Sequence, residues 1–445
     1  MLAPVDLELT ELTSLEGVDS ASWNGLDHDP SPFLEWGFLL ALERSGSTTA
    51  QSGWDPLYVL VYGPAPGGTE PAERASNASP EQGGDAKGEA GGEATRDSRG
   101  GGRTLLGAVA SYVKTHSYGE YIFDFQWARA AMHAGLEYYP KLVIAAPATP
   151  ATGKRLLLHP DLDPAAREAV ALRLIEGVRE VAEERRCSSI HWLFCTGEEQ
   201  ALLQREGFAA RMSFQYHWQN QGYASFDDFL GTLTSRKRKQ IRKERRRAQA
   251  AVDDITFVPG TELSREGLAA LDRFYRRTTN LYGGRQYLRP GFFHALVELA
   301  PERVRFLQAR RKDRAVAGAL FFETESGLYG RYWGCDQDIE FLHFEAAYYA
   351  GIERCIELGL PLFEAGAQGE HKLLRGFLPR MCHSAHWFRH PGLNRGVREF
   401  LQEEAHAVRH HVDRLAEFGP YKQDEGGMEL RAAGSSEGEA GDLSG

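Results

Sequence analysis

Between Leu328 and Phe377 the apolar positions change period twice. Leu328–Cys335 is aromatic and β-prone, which predicts a strand. From Phe344 onward Ala347, Tyr348, Gly351, Ile352, Cys355 and Ile356 recur at helical spacing, and Gly359 marks the stop. Pro361–Ala365 is a short apolar strand whose end delivers Gln368, Glu370, His371 and Lys372 into one polar loop. So many ionisable groups beside a strand end suit a site better than a core. Upstream, LYVLVYG (Leu57–Gly63) and LLGAVASYV (Leu105–Val113) read as the two strands of a hairpin. Gly63–Gly102 between them is rich in Gly, Ala, Glu, Pro and Ser, so a disordered hairpin insertion is expected. The tail 421–445 has the same composition and carries the same expectation. Pro164–Arg186 reads as a helix capped by Asp163, followed by a strand at Ser189–Cys195.

The pattern also repeats. Gly207–Trp218 is GFAARMSFQYHW and Gly376–Trp387 is GFLPRMCHSAHW, identical at six of twelve positions. Gly107-Ala108 precedes Tyr118-Gly119-x-Tyr121 just as Gly318-Ala319 precedes Tyr329-Gly330-x-Tyr332. Each half places a helix and then a strand before its Gly-Phe pair. The reading is an internal duplication with mixed sheets of α/β (α+β) class. The first domain is 1–225, the second is 226–420 and opens with a basic helix, and the tail follows.

Composition narrows the classes. The chain has 445 residues, 42% of them apolar, enough to bury two cores. A net charge of −11 argues against a general nucleic-acid binder. Five widely spaced cysteines read as buried thiols of a reducing compartment rather than a disulfide framework. No apolar run nears the roughly 18 residues of a membrane helix, and the acidic N-terminus has no signal pattern. A cytoplasmic protein with no transmembrane segment is the expectation.

Ser189–Trp218 is a strand, a short helix ending in Glu206-Gly207-Phe208 and a return strand, and it resembles the closing section of the Gcn5-related N-acyltransferase (GNAT) fold. Lys141–Leu158 is similar to that fold's central strand and following loop. The loop's backbone N–H groups hold a cofactor pyrophosphate in that fold. The resemblance therefore implies cofactor contacts from Thr152, Gly153, Lys154 and Arg155. Glycines are sparse there, and the second half has no glycine-rich loop. Two tandem copies resemble the Fem-type aminoacyl ligases of peptidoglycan cross-bridges. The runs SRKRKQIRKERR, YGRYWG and EAGAQGEHK are similar to a bacterial N-acyltransferase family labelled peptidoglycan-biosynthesis-like. The resemblance implies a transferase that moves an acyl or aminoacyl group from acyl-coenzyme A or aminoacyl-tRNA to an amine. A non-catalytic module that holds an anionic ligand on the same fold is the reading from a different class.

Such a transfer needs a neutral amine, a stabilised oxyanion and a proton for the leaving group. Glu364, Glu370 and His371 are candidate bases or acids, and His343 and Glu345 enter the second-half helix at its positive end. Hydrogen bonds that merely hold the loop are the competing role for Glu364, and dipole compensation for Glu345. Tyr329, Arg331, Tyr332 and Trp333 of the aromatic strand, with Gln368, Lys372 and Arg375, form the expected substrate wall. Arg236–Arg247 has nine basic residues in twelve on a helix capped by Ser235. It is either a solvated face or a grip on phosphate through Arg236 and Lys237, for a phosphate-bearing small substrate or a tRNA acceptor stem. His371, His383, His386 and His390 lack metal-ligand spacing, and no metal is expected.

Overall fold

The computed structural model describes residues 7–66, 103–281, 284–366 and 369–422. The insertion and tail expected to be disordered lie outside these residues, apart from their edges at 63–66 and 421–422.

Long apolar runs become the buried strands. β1 (Glu8–Leu12), β2 (Trp54–Gly63), β3 (Thr104–Lys114), β4 (Lys141–Ile144), the two-residue β5 (Leu157–Leu158), β6 (Ser189–Cys195) and β7 (Ala209–Gln219) come from the first half. β8 (Asp254–Pro259), β9 (Val304–Arg311), β10 (Arg314–Thr324), β11 (Gly327–Cys335), β12 (Leu362–Glu364) and β13 (Leu378–Phe388) come from the second. One mixed sheet runs β1-β2-β3-β4-β6-β13-β7-β12-β11-β10-β9-β8, with β5 paired to β3. β2 and β3 are buried along nearly their whole length, as continuous apolar runs require when helices cover a sheet.

That order is a palindrome of the two halves with their last strands exchanged. β7 leaves the first half to pair with β12, while β13 crosses back to pair with β6. β7 and β13 lie antiparallel at the centre, with Leu378 opposite His217 and His386 opposite Ala209. The repeat offset relates these two pairs to each other, and it relates the pair Ser213–Cys382 to itself. A pseudo-twofold axis therefore passes through Ser213 and Cys382. The turns that launch both strands are equivalent: Gly207 and Gly376 sit at φ +84° and +93°, where a side chain would be strained. We propose 1–225 and 226–420 as the repeat boundaries, although the exchange leaves neither half with a sheet of its own.

The halves share a core as well as a sheet. Phe33 packs edge-on against Phe322 and Tyr329 of the second half, at 4.8 and 5.7 Å between ring centroids. Pro164–Glu184 covers the first-half strands, capped by Asp163, whose carboxylate accepts from the N–H groups of Ala165 and Ala166. Its counterpart runs from Leu342 to Leu358 with a π-helical turn at Glu345–Tyr349, and Gly359 closes it at φ +67°. The basic helix spans Ser235–Ala250, with Thr234 rather than Ser235 in the cap position. No helix of the described residues is long and apolar enough to cross a membrane.

Candidate active site

β11 and β12 run parallel for two residue pairs, Leu328–Phe363 and Tyr329–Glu364. β12 then ends, while β11 continues to Cys335 against β10 alone. A cavity of about 140 Å³ opens where the strands part, between Gly330–Trp333, Ala365, and the helix residues His343, Ala347 and Tyr348. Larger clefts of about 380–390 Å³ lie elsewhere, without the predicted site residues. The Arg331 side chain is only 3% exposed, yet the residue as a whole is half-buried, so its backbone faces the opening. Backbone N–H groups on this side have lost their strand partner, which suits them to an acyl oxygen.

The floor is charged. Glu364 is buried, with one oxygen 3.3 Å from Arg331 Nη2 and the other 3.5 Å from His217 Nε2. Arg331 also lies 4.4 Å over the Phe33 ring, and its Nε has no partner among the described residues. Lys372 is 1% exposed and donates to the Gly366 carbonyl at 2.6 Å. Burial, reinforced by Arg331 and opposed by Glu364, pushes its ammonium down to about 7. An amine so placed exchanges its proton near neutrality. Tyr329 and Tyr332 turn away, their hydroxyls donating to the carbonyls of Pro30 and Ala148, while Trp333 lies against His343.

The polar loop is a 3₁₀ turn over Glu370–Arg375. His371 accepts from or donates to the Tyr348 hydroxyl through Nε2 at 2.9 Å. Burial, then Arg375 and Lys372, keep its imidazole below the usual range. His343 is pushed down to about 4, chiefly by burial. Glu370 faces solvent, and Gln368 lies outside the described residues. Glu345 corrects the reading from sequence. It is buried and clamped by Arg245 at 3.0 Å and Gln249 at 3.0 Å, so it anchors the π turn and does not reach the cavity.

The basic helix divides by face. Ile241, Glu244 and Ala248 are buried, and Arg245 joins Glu345 and Glu353. Glu244 also holds Arg375 Nη2 at 3.0 Å, placing that guanidinium 3.4 Å over the Phe344 ring, beside the loop. Arg236, Lys237, Lys239, Lys243 and Arg246 have no ion pair among the described residues. Burial, Arg236 and Arg375 lower Lys237 below an ordinary lysine, opposed by Glu244.

The family model for FemAB-like proteins, described as peptidoglycan biosynthesis/recognition, matches residues 14–68 and 80–423. The chain belongs to the FemAB-like family. None of the curated proteins matches it. Among solved structures, FemX aligns over 88% of this chain and 100% of its own at 10% identity and a TM-score of 0.48. A tandem GNAT protein from the clavulanic acid biosynthesis pathway aligns over 87% and 99% at 10% identity, TM-score 0.40. L-PGS from Bacillus licheniformis aligns over 57% and 79% at 11% identity, TM-score 0.40.

In this FemAB-like protein the first-half counterpart of the cavity is filled. β4 pairs with β6 from Leu142 to Ile144, and Ala145–Arg155 then folds into the space that stays open in the second half. Gly153 N–H donates to the Phe194 carbonyl. Arg155, 1% exposed, donates to the carbonyls of Leu193, Ala151, Gly153 and Lys154. Lys154 pairs with Asp27, and the Thr152 hydroxyl points to Cys382 Sγ at 3.6 Å. The expectation of a pyrophosphate cradle at Thr152–Arg155 is thereby corrected, because these groups bind the fold itself. His386 and His191 meet through their Nδ1 atoms at 2.7 Å, while His383 meets Gln200 on the opposite face. The five cysteines are free, and no cluster of three potential metal ligands forms among the described residues.

His217, Glu244 and Tyr348 were not singled out from sequence. The repeat carried the signal for His217, since it and His386 occupy the same position before the closing Trp. Tyr348 was absorbed into the apolar helical pattern.

Proposed function

We propose that this protein moves an acyl or aminoacyl group onto an amine of a cell-wall precursor or small molecule, at the second-half cavity. One observation carries the reading: β11 and β12 part after Tyr329 and Glu364, exposing strand backbone above a floor of Arg331, Glu364 and Lys372. A sheet opened at one point offers N–H donors to a carbonyl oxygen without a dedicated side chain. Membership of a family described by peptidoglycan biosynthesis supports the same chemistry. Lys372, Arg331 and Glu364 set the charge beneath the acyl carbon, and Arg236 with Lys237 faces the donor's phosphates. That donor is acyl-coenzyme A or aminoacyl-tRNA, and both present phosphate to such a surface.

The test is mass spectrometry of small molecules retained through purification, followed by turnover assays. Acetyl-coenzyme A and alanyl-tRNA are the donors, and a lysine-bearing muropeptide is the acceptor. Lys372→Met is expected to lose turnover roughly 100-fold while donor affinity stays within about threefold. Ligand binding with no turnover for any pair would replace the transferase reading with that of an anionic-ligand-binding module.

A further inference from the structure

The geometry points to Tyr348 as the hydroxyl that passes a proton between the reacting amine and His371, an assignment that rests on the transfer reading above. Tyr348 lines the cavity, and its oxygen lies 2.9 Å from His371 Nε2. Its ring is held edge-on by Phe377 at 5.7 Å, so the hydroxyl has little freedom. The π turn aims it. One extra residue per turn rotates Tyr348 out of α-helical register, and Arg245 and Gln249 on Glu345 lock that turn. π turns of this kind concentrate at functional sites.

His371 is suited to the other end. Its ring packs against Gly369, where a Cβ would stand 2.6 Å from Cε1, so only glycine at that position leaves the ring its place. Burial first, and then the positive charge of Arg375 and Lys372, favours the neutral imidazole, whose Nε2 offers a lone pair to the tyrosine O–H. The groups facing the pair are Arg375 and Lys372 from the 3₁₀ turn and His343 from the helix, with no carboxylate among the causes of its shift.

The step balances without an added reagent. The acceptor nitrogen bonds to the acyl carbon, and the bond from that carbon to the donor's oxygen or sulfur breaks. The proton lost by nitrogen goes to the Tyr348 oxygen as the tyrosine's own proton moves to His371 Nε2. The imidazolium, destabilised by Arg375 and Lys372, then gives its proton to the departing oxygen or sulfur. Tyrosine and histidine end as they began.

The experiment uses the full chain and Tyr348→Phe, which keeps the ring and removes one oxygen. Thermal unfolding of both is recorded first. Histidine Cε1 resonances are then followed by NMR against pH without substrate. Losing the hydroxyl donor is expected to raise the His371 midpoint, because that bond favours the neutral ring. An unchanged midpoint overturns the pairing. Turnover is measured with acetyl-coenzyme A or alanyl-tRNA and a lysine-bearing muropeptide. Tyr348→Phe is expected to lower kcat by roughly 100-fold with KM within about threefold, and to change the pH profile. His371→Gln should lose as much, and the double variant little more. Wild-type turnover with an unaffected Tyr348→Phe overturns the relay and leaves the transferase reading standing. No wild-type turnover with either donor overturns both.

Discussion

The two halves use the same strand plan to opposite ends. In the first, the chain leaving β4 folds back into the gap beside β6, and a buried arginine ties it down. In the second, the chain leaving β11 passes to a helix with a π turn, and the gap remains a cavity. Each gap has its arginine, Arg155 or Arg331. The first gives its guanidinium to four carbonyls, whereas the second shares a carboxylate and leaves Nε without a partner. Where a duplicated site is filled, its polar groups serve the fold. Where it is left open, they remain available for chemistry, at some cost in stability.

The sharpest way to break this contrast is Arg155→Ala. It would strand the carbonyls of Leu193, Ala151, Gly153 and Lys154 and leave a void. A loss of about 3–5 kcal/mol is expected in urea unfolding, with donor affinity unchanged in whatever fraction remains folded. A change below about 1 kcal/mol would mean that the segment is not a structural plug.

Next come two buried lysines, one from each half. Lys114 and Lys372 are both pushed down to about 7, chiefly by burial. An unfolded chain keeps such amines protonated to about pH 10.4, so above about pH 7 the unfolded state holds the extra proton and stability rises with pH. Each lysine contributes up to about 1.4 kcal/mol per pH unit in that window, and stability falls again as pH drops toward 7. The partners differ: Lys114 has Glu120 at 3.6 Å and stacks on Trp54 at 3.6 Å, while Lys372 has the Gly366 carbonyl. Lys372→Met should therefore stabilise the protein at pH 7 by about 1–2 kcal/mol as it lowers turnover roughly 100-fold, the trade expected of a functional group. Lys114→Met, by leaving Lys141 as the one cation, among the described residues, between the buried carboxylates of Glu120 and Asp124, should destabilise it. Chemical denaturation at pH 7 and 9 separates the two.

Much of this plan was legible. The repeat, the strands on either side of the polar loop, the Gly359 stop and the free rather than cross-linked cysteines all follow from period, propensity, spacing and internal similarity. The exchange of β7 and β13 does not, because both strands satisfy the same pattern whichever half they join. Nor could the sequence tell a phosphate-binding loop from a plug at Thr152–Arg155: a Gly-Lys-Arg run reads alike until its carbonyl acceptors are known. Glu345 was misjudged for a related reason. A carboxylate near a helix start suits the dipole, and only the tertiary approach of Arg245, 100 residues earlier, makes it an anchor.

The pseudo-twofold supplies a third test. His386 faces His191 where its repeat mate His217 faces Glu364. Burial lowers His191 to about 3 and His386 well below its ordinary value. Below about pH 6.5 the unfolded chain takes up protons that these rings refuse, so stability falls as pH drops, by up to about 2 kcal/mol at pH 5 for His191. His386→Phe should shallow that acid limb by about one ring's worth. An unaltered limb would mean that other groups set the acid sensitivity.

The smallest effect on stability, and the most direct probe of the open half's partner, lies on the basic helix. Arg236, Lys237 and Lys239 hold no ion pair among the described residues, so replacing all three by alanine should change stability by under about 0.5 kcal/mol. If anything, relieving like charge four residues apart helps the helix. Binding is where the substitution should register. If the helix grips phosphate, each lost contact releases fewer counterions, and affinity for coenzyme A or tRNA should fall and depend less steeply on salt. The size of the slope separates the donors. Coenzyme A offers few phosphates and tRNA a backbone of them, so a triple variant that loses about two to three from the log–log slope points to tRNA. A loss near one points to coenzyme A. An unchanged slope with both ligands would return the helix to a solvated face, and the open half would then have to hold its donor through the cavity between β11 and β12 alone.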